Sequence, residues 1–355
     1  MTYFVCVETT SKLLKCDTND CKNYKFKSGS TGFTTDDYLL EAKKETLMSW
    51  ESRPSMDLPS LLRSNRIKVY ISLTTTPSRI QFLHHVLDLL DLSIVENILL
   101  CIPIIFSRDN TTYDFPENLL QRYQPKLKII RTPEDYGPMT KLVGATKYLK
   151  NNHSGKGNAA DILITIDDDT GYGRSMVSEL VFGCLSYPHT IIGGHGAQLE
   201  FFGISPFAFP FAVNSSLSFT DQKPTFAHPV DVTEAFAAVA FRLSMVDEEL
   251  LLAFAKRNIR SCFLADDLVI SYVMAYQGFA KLQWHTSYFS VDAVRQYHFG
   301  FRLDALSWGA DAHRYEQSHI FTNYYACYQT LIRSFYHFQE MRWKSREEVL
   351  MQRII

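Results

Sequence analysis

Three adjacent carboxylates, Asp167, Asp168 and Asp169, follow directly on the aliphatic run Ile162-Leu-Ile-Thr-Ile166 and precede the turn-forming stretch Thr170-Gly171-Tyr172-Gly173. A short β-branched run of this kind reads as a buried strand that delivers its charges at its C-terminal edge. Neighbouring aspartates repel one another, and such a group of hard oxygen ligands is best neutralised by a small divalent cation, Mg²⁺ or Mn²⁺. The competing reading is a solvated loop, because Asp and Gly also supply turn chemistry. The preceding strand favours the metal, since ligands of open α/β sheets gather beyond the carboxyl ends of the strands.

Three further groups of residues carry chemistry. Asp266 and Asp267 open the helical pattern Leu268–Tyr276, which Gly278 stops; a helix start accommodates aspartates for dipole reasons alone. The loop Thr74-Thr75-Thr76-Pro77-Ser78-Arg79 offers hydroxyls, backbone N–H groups near a helix start and a guanidinium, a combination suited to an anionic or nucleotide ligand. An ordinary helix cap supplied by Thr76 or Ser78 explains that loop equally well. The loop Thr132-Pro-Glu-Asp135-Tyr-Gly-Pro-Met-Thr-Lys141 holds an acid, an aromatic residue, a turn and a lysine. Lys141 is placed to reach a diphosphate, although a lone lysine ordinarily lies on the surface.

The elements that position these groups alternate along the chain. Strand patterns at Ile67–Leu73, Asn97–Pro103, Leu127–Arg131, Ile162–Ile166 and Thr190–Gly194 are interleaved with helical patterns over 80–90, 142–149 and 175–185. Such alternation predicts an α/β fold with a mostly parallel sheet flanked by helices. The small-residue segment Val230–Arg242 reads as a strand or loop beside a ligand. Residues 1–65 read as an N-terminal extension with a helical patch at Thr35–Ser49, bounded by the breakers Arg53-Pro54 and Leu58-Pro59-Ser60. The aromatic residues between Phe301 and Trp343 fall at helical spacing, which favours core packing over a sugar-stacking platform.

Composition bounds the function. The chain has 355 residues, 46% of them hydrophobic, ample for a large core. A formal net charge of −2 provides no general attraction to nucleic acid or to anionic membranes. Seven cysteines at irregular spacings point away from zinc and from a disulfide framework. The first residues lack the pattern of a secretory signal and no apolar run reaches membrane-spanning length, so a cytoplasmic protein is expected. On that view Asn110-Thr-Thr, Asn152-His-Ser and Asn214-Ser-Ser are chance matches to the glycosylation sequon, although they leave a lumenal location open.

Taken in order, Leu73-Thr-Thr-Thr-Pro-Ser-Arg-Ile80, Asp135-Tyr-Gly-Pro-Met-Thr-Lys141, Asp167-Asp168-Asp169 and Ala265-Asp266-Asp267 resemble the nucleotide-sugar-dependent glycosyltransferases of the GT-A fold. The resemblance covers roughly residues 66–300 and implies a Rossmann-like sheet with a donor half (about 66–190) and an acceptor half (about 191–330), followed by a helical tail over 331–355. It implies that Asp167-Asp168-Asp169 is the DXD motif, with Asp169 and Asp167 on Mn²⁺ or Mg²⁺ and with Asp167 and Asp168 serving the UDP- or GDP-sugar. Thr74, Thr75, Thr76, Arg79, Asp135 and Lys141 fall on the donor side. Asp266-Asp267 stands where inverting members carry an acidic base at a helix start, with Asp267 the base and Asp266 its neighbour. Inverting members of the fold also supply a histidine to the metal about thirty residues later, which here is His298, with His313 and His285 as alternates. The expected partners are a nucleotide-sugar donor and a carbohydrate or glycoconjugate acceptor.

Three other readings compete. A retaining transferase would use Asp266 and Asp267 only for positioning. A metal-dependent phosphotransferase or nuclease would also place acids at a strand end, but no phosphate-cradling GxxxxGK[ST] is present. A sugar-binding module without catalysis fits the two acidic groups and the cationic loops least well. The segment Glu234-Ala-Phe-Ala-Ala-Val-Ala240 has alanines where such enzymes carry glycines on the acceptor side. Sequence specifies no oligomeric state.

Overall fold

A computed structural model describes residues 4–6, 14–16, 57–152, 159–201, 210–213, 227–256, 262–284 and 327. The chain divides into two compact units, Met1–Tyr38 and Leu39–Ile355. The first contains an antiparallel hairpin of β1 (Phe4–Cys6) and β2 (Leu14–Cys16).

The second unit opens with α1 (Leu58–Ser64). Asp57 caps it by accepting from Ser60 N at 3.1 Å. The prolyl breaker read from the sequence therefore starts a helix, because proline in a first turn forfeits no intrahelical hydrogen bond. Next come β3 (Val69–Leu73), α2 (Leu83–Leu87), β4 (Asn97–Pro103), α3 (Glu117–Tyr123), β5 (Leu127–Thr132), α4 (Thr140–Asn152), β6 (Ile162–Thr165), α5 (Met176–Ser186) and β7 (Thr190–Gly193). Then follow β8 (Gly196–Phe201), β9 (Pro210–Val213), β10 (Ala227–Pro229), β11 (Val232–Thr233), β12 (Val239–Arg242), α6 (Glu248–Lys256), α7 (Asp266–Tyr276) and β13 (Ala280–Trp284).

Eight strands form the main sheet in the order β10-β13-β7-β12-β6-β3-β4-β5. The pairs β5/β4, β4/β3, β3/β6 and β7/β13 are parallel, whereas β12 runs antiparallel to both β6 and β7. The expected mostly parallel, helix-flanked sheet is present. Strands covered on both faces read as unbroken apolar runs, and β3 shows why: Val69, Ile71 and Leu73 join one core while Tyr70 joins the other. Residues of α1, α2, α3 and α5 fill the first core, and residues of α4, α6 and α7 fill the second. Helix α4 approaches the sheet closely at Gly144, where a Cβ would stand 2.9 Å from Cys101 Cβ.

The small-residue segment after Val230 resolves into β11, a 3₁₀ turn at Ala235–Ala237 and the central strand β12. Its alanines are buried, and Ala240 lies in β12, between β6 and β7. Cys262 and Cys327 form a disulfide across 65 residues, which irregular cysteine spacing could not disclose, since pairing depends on which Cβ atoms the fold brings together. Among the described residues no helix is long and apolar enough to cross a membrane.

Candidate active site

The chemistry-bearing loops converge because β3 and β6 are parallel neighbours, so their carboxyl ends open on the same edge of the sheet. The loop after β3 carries Thr74 to Arg79, and the loop after β6 carries the three aspartates. Arg79 donates from Nη2 to Asp168 at 2.6 Å and from Nη1 to Asp169 at 2.8 Å. Thr75 Oγ1 donates to the other oxygen of Asp168 at 2.5 Å. The Asp168 side chain is only 3% exposed. Burial pushes its carboxyl up to about 6, against the pull of Arg79, and repulsion from Asp169 adds to the rise. Thr76 Oγ1 lies 3.0 Å from Ser78 Oγ, and Thr74 is half-buried at the loop's start.

Lys141 joins this group to the second one. It stands in the first turn of α4 with its side chain 1% exposed, its ammonium 2.5 Å from Asp167 and 3.1 Å from Asp266. Burial opposes the charge, but Asp167 and then Asp266 outweigh it and hold the ammonium above the ordinary lysine value. Lys141 is therefore no surface lysine. Two acidic clusters 97 positions apart in sequence share one buried cation.

Asp266 and Asp267 occupy the first turn of α7, where the helix dipole favours carboxylates. Asp267 accepts a hydrogen bond from Ala235 N at 2.7 Å. Burial lifts its carboxyl well above the usual range, and repulsion from Asp266 lifts it further. Asp266 is raised too, chiefly by burial, with Lys141 opposing.

Asp135 accepts from Ser107 N at 3.0 Å, from Ser107 Oγ at 2.8 Å and from Gly137 N at 2.8 Å. Its carboxylate thus braces the loop that delivers Lys141. Gly137 in that loop has φ +60°, and a Cβ there would sit 2.5 Å from the backbone oxygen of Phe263, just ahead of α7. Only glycine fits so close an approach in the left-handed region. Tyr113 OH donates to Thr75 O at 2.8 Å and so ties the loop after β4 to the loop after β3.

Sequence reading gave no site role to three residues that the fold brings here. Tyr172, fully buried, accepts from Asp167 N at 2.9 Å and donates to Phe236 O at 2.9 Å. His195 Nδ1 meets Glu234 Oε2 in a hydrogen-bonded pair, and the His195 ring lies 5.5 Å from that of Phe236. The turn at Ala235–Ala237 is thereby held to the aspartate triplet through Tyr172, to α7 through Asp267 and to the end of β7 through the His195–Glu234 pair. Tyr172 sits in a stretch that reads as a simple turn, and its bonding partner lies 64 residues away, so no local signal marks it.

Five aspartates, Asp167 to Asp169 with Asp266 and Asp267, face two cations, Arg79 and Lys141, which leaves a formal excess of three negative charges when all are ionised. Among the described residues no three His, Cys, Asp or Glu side chains converge as a ready-made metal shell. Asp167 and Asp169 retain 29% and 14% side-chain exposure. That donor set fits a Mg²⁺-like ion, which takes one or two carboxylates and completes its sphere with substrate phosphates and water. His298, His313 and His285 lie outside the described residues.

The sheet is mostly parallel and flanked by helices, the arrangement that the alternating sequence pattern predicts. Solved structures similar to the chain include GalNAc-T7 crystallised with UDP, GalNAc and Mn²⁺, at 13% identity and a TM-score of 0.37 over 61% of this chain. The match spans 42% of that protein, less than half its length. Another is the 4-diphosphocytidyl-2C-methyl-D-erythritolsynthase from Anaerococcus prevotii, at 12% identity and a TM-score of 0.35 over 65% of this chain and 95% of the other. No protein-family model matches the sequence, and no curated protein matches it significantly.

Proposed function

We propose that the chain is a divalent-metal-dependent glycosyltransferase that moves a sugar from a UDP- or GDP-sugar to a hydroxyl of a carbohydrate or glycoconjugate, with inversion at the anomeric carbon. The observation that carries this reading is Lys141, whose single ammonium binds both Asp167 and Asp266 and so makes one site of two acidic clusters. A binding loop needs one such cluster, whereas sugar transfer needs two: one to manage the charge of the leaving diphosphate and one to take a proton from the acceptor.

Asp169 and Asp167 hold the metal in this reading, with His298 as the third protein ligand. The ion supplies Lewis-acid stabilisation of the negative charge that develops on the departing diphosphate. Arg79 and Thr75 fix Asp168 and so set the angle of the triplet. In this reading the loop Thr74–Thr76 lies beside the nucleotide, with the Thr75 hydroxyl committed to Asp168 and Asp168 acting on the donor through the shape of that loop. Asp135 shapes the neighbouring loop through Ser107 and Gly137.

Asp267 is the base. An acceptor hydroxyl is a poor nucleophile at neutral pH, so a carboxylate takes its proton as the new bond forms. A carboxyl raised above its usual range is a stronger proton acceptor once ionised, and burial together with Asp266 raises this one. Asp266, tied to Lys141, keeps the helix start in register with the donor side.

A screen of nucleotide sugars by thermal shift, with and without Mn²⁺, tests the reading, because a ligand that binds only the native state stabilises it by mass action. The expected result is stabilisation by one donor class that depends on the metal, with release of free nucleoside diphosphate when an acceptor is added. Product of retained configuration would replace the base assignment with a positioning role for Asp266 and Asp267. Cleavage of phosphodiesters in place of sugar transfer would overturn the glycosyltransferase reading.

A further inference from the structure

One exposed asparagine and the cysteines of Leu39–Ile355 support an inference that is independent of the proposed reaction. Every described cysteine of that unit is either bonded or sealed away. Cys262 and Cys327 are buried and joined in a disulfide, and Cys101 and Cys184 are wholly buried free thiols. Burial pushes both of those thiols up to about 12, which leaves almost no thiolate to exchange with the disulfide at neutral pH. Disulfides form and persist in oxidising compartments, while the cytosol keeps thiols reduced.

The sequon Asn110-Thr111-Thr112 lies on a tight hairpin. Residues Ser107–Asn110 form a turn closed by the bridge between Phe106 and Thr111, whose N–H···O bond measures 2.8 Å. Asn110 adopts φ 54°, and Asn110, Thr111 and Thr112 are all exposed. The next residue, Tyr113, is buried and anchored on Thr75 O. The base of the loop is therefore fixed, while Asn110 and Thr112, the residues a glycosylating enzyme reads, stand in solvent. An N-linked glycan needs an exposed sequon of this kind. The sequon at Asn152 closes α4 and runs into residues 153–154, and the one at Asn214 follows β9; both extend outside the described residues.

We propose that the chain resides in the oxidising lumen of a secretory pathway and carries an N-linked glycan on Asn110. In the transfer step Asn110 Nδ2 attacks the anomeric carbon of a lipid-diphosphate-linked oligosaccharide. The N–C bond forms as the C–O bond to the diphosphate breaks, the lipid diphosphate departs and Nδ2 loses one proton. The Cys262 and Cys327 thiols give up two electrons and two protons to a protein disulfide oxidant of the same compartment.

Mass spectrometry of the full chain isolated from its own cells tests this directly. Peptides produced without reduction, before and after treatment with a peptide N-glycosidase, report both features. The expected result is a Cys262–Cys327 linked peptide and an Asn110 peptide that appears, deamidated, only after the glycan is released. In eukaryotic cells that secrete the chain behind a cleavable signal, Asn110→Gln and Thr112→Ala should remove the glycan at this position, and Thr112→Ser should retain it. An unmodified Asn110 peptide in the native chain overturns the proposal, as does recovery of Cys262 and Cys327 as free thiols. Neither result bears on whether the chain transfers sugar.

Discussion

The aspartate triplet and Asp267 are held in different ways. In the triplet each aspartate faces a protein cation: Asp167 meets Lys141, and Asp168 and Asp169 meet Arg79. At the start of α7 Asp266 shares Lys141, whereas Asp267 accepts from a backbone N–H. Breaking a buried ion pair leaves a charge without its counter-charge, whereas losing a backbone donor leaves a carboxyl without one hydrogen bond. In the proposed reading the triplet stays fixed under a charged donor, and Asp267, whose proton affinity burial and Asp266 raise, changes charge in each cycle.

Five substitutions test that contrast. The largest effect is expected from Lys141→Met, which leaves Asp167 and Asp266 without their common counter-charge. Removing one partner of a buried ion pair costs about 3–5 kcal/mol, and urea unfolding should show a loss of at least about that lower figure. A loss within a few tenths of a kcal/mol would mean that Lys141 does not join the two clusters. Next comes Asp267→Asn, expected to slow transfer by about 10²-fold while donor affinity stays nearly constant. Asp266→Asn should slow it less. Equal losses in donor affinity for the two variants would make the pair a donor clamp.

Tyr172→Phe should cost about 1–3 kcal/mol, because the Asp167 N–H and the Phe236 carbonyl lose their shared partner. Thermal unfolding of the variant would measure it, and a neutral outcome would show that the turn at Ala235–Ala237 does not depend on this link. The pH dependence of stability supplies another test. Asp168 is raised in the folded state to about 6 from 3.8, so its contribution is fully present below the lower value and is lost as pH rises through the higher one. The metal-free protein should therefore lose stability between about pH 4 and 6 from this group, and Asp168→Asn should flatten that part of the curve. A slope of the same size in the variant would assign the effect elsewhere.

Much of the fold could be read in the sequence because strands buried on both faces leave unbroken apolar runs, as in Asn97–Pro103, where the observed strand has the expected limits. The acidic triplet and the acid pair were legible as well, since each lies at the end of a patterned element. Their joining was not. Nothing near Lys141 in sequence distinguishes it from a surface lysine, and its burial follows from α4 delivering it between two loops that come from distant parts of the chain. Arg79 reads as a cation awaiting an anionic ligand, yet the fold places it on Asp168 and Asp169. Tyr172, the His195–Glu234 pair and the Cys262–Cys327 bond escaped for the same reason: each is a long-range pairing of residues whose local surroundings are ordinary. The alanines at 235, 237, 238 and 240 look like weak versions of a glycine motif, but all four are buried: Ala240 in β12, and the others in and just after the preceding 3₁₀ turn, where Ala238 takes φ 66°.

The central claim, one metal-dependent transfer site made from both acidic clusters, is tested most directly by nucleoside diphosphate release from a panel of UDP- and GDP-sugars with a mixed glycan acceptor. The measurement compares Mn²⁺ with excess EDTA for the wild-type chain and for Asp169→Ala. The expected result is release from one donor class with Mn²⁺, none above background in EDTA, and none with Asp169→Ala in either condition. Full release in EDTA, or an Asp169→Ala variant as active as the wild type, would contradict it.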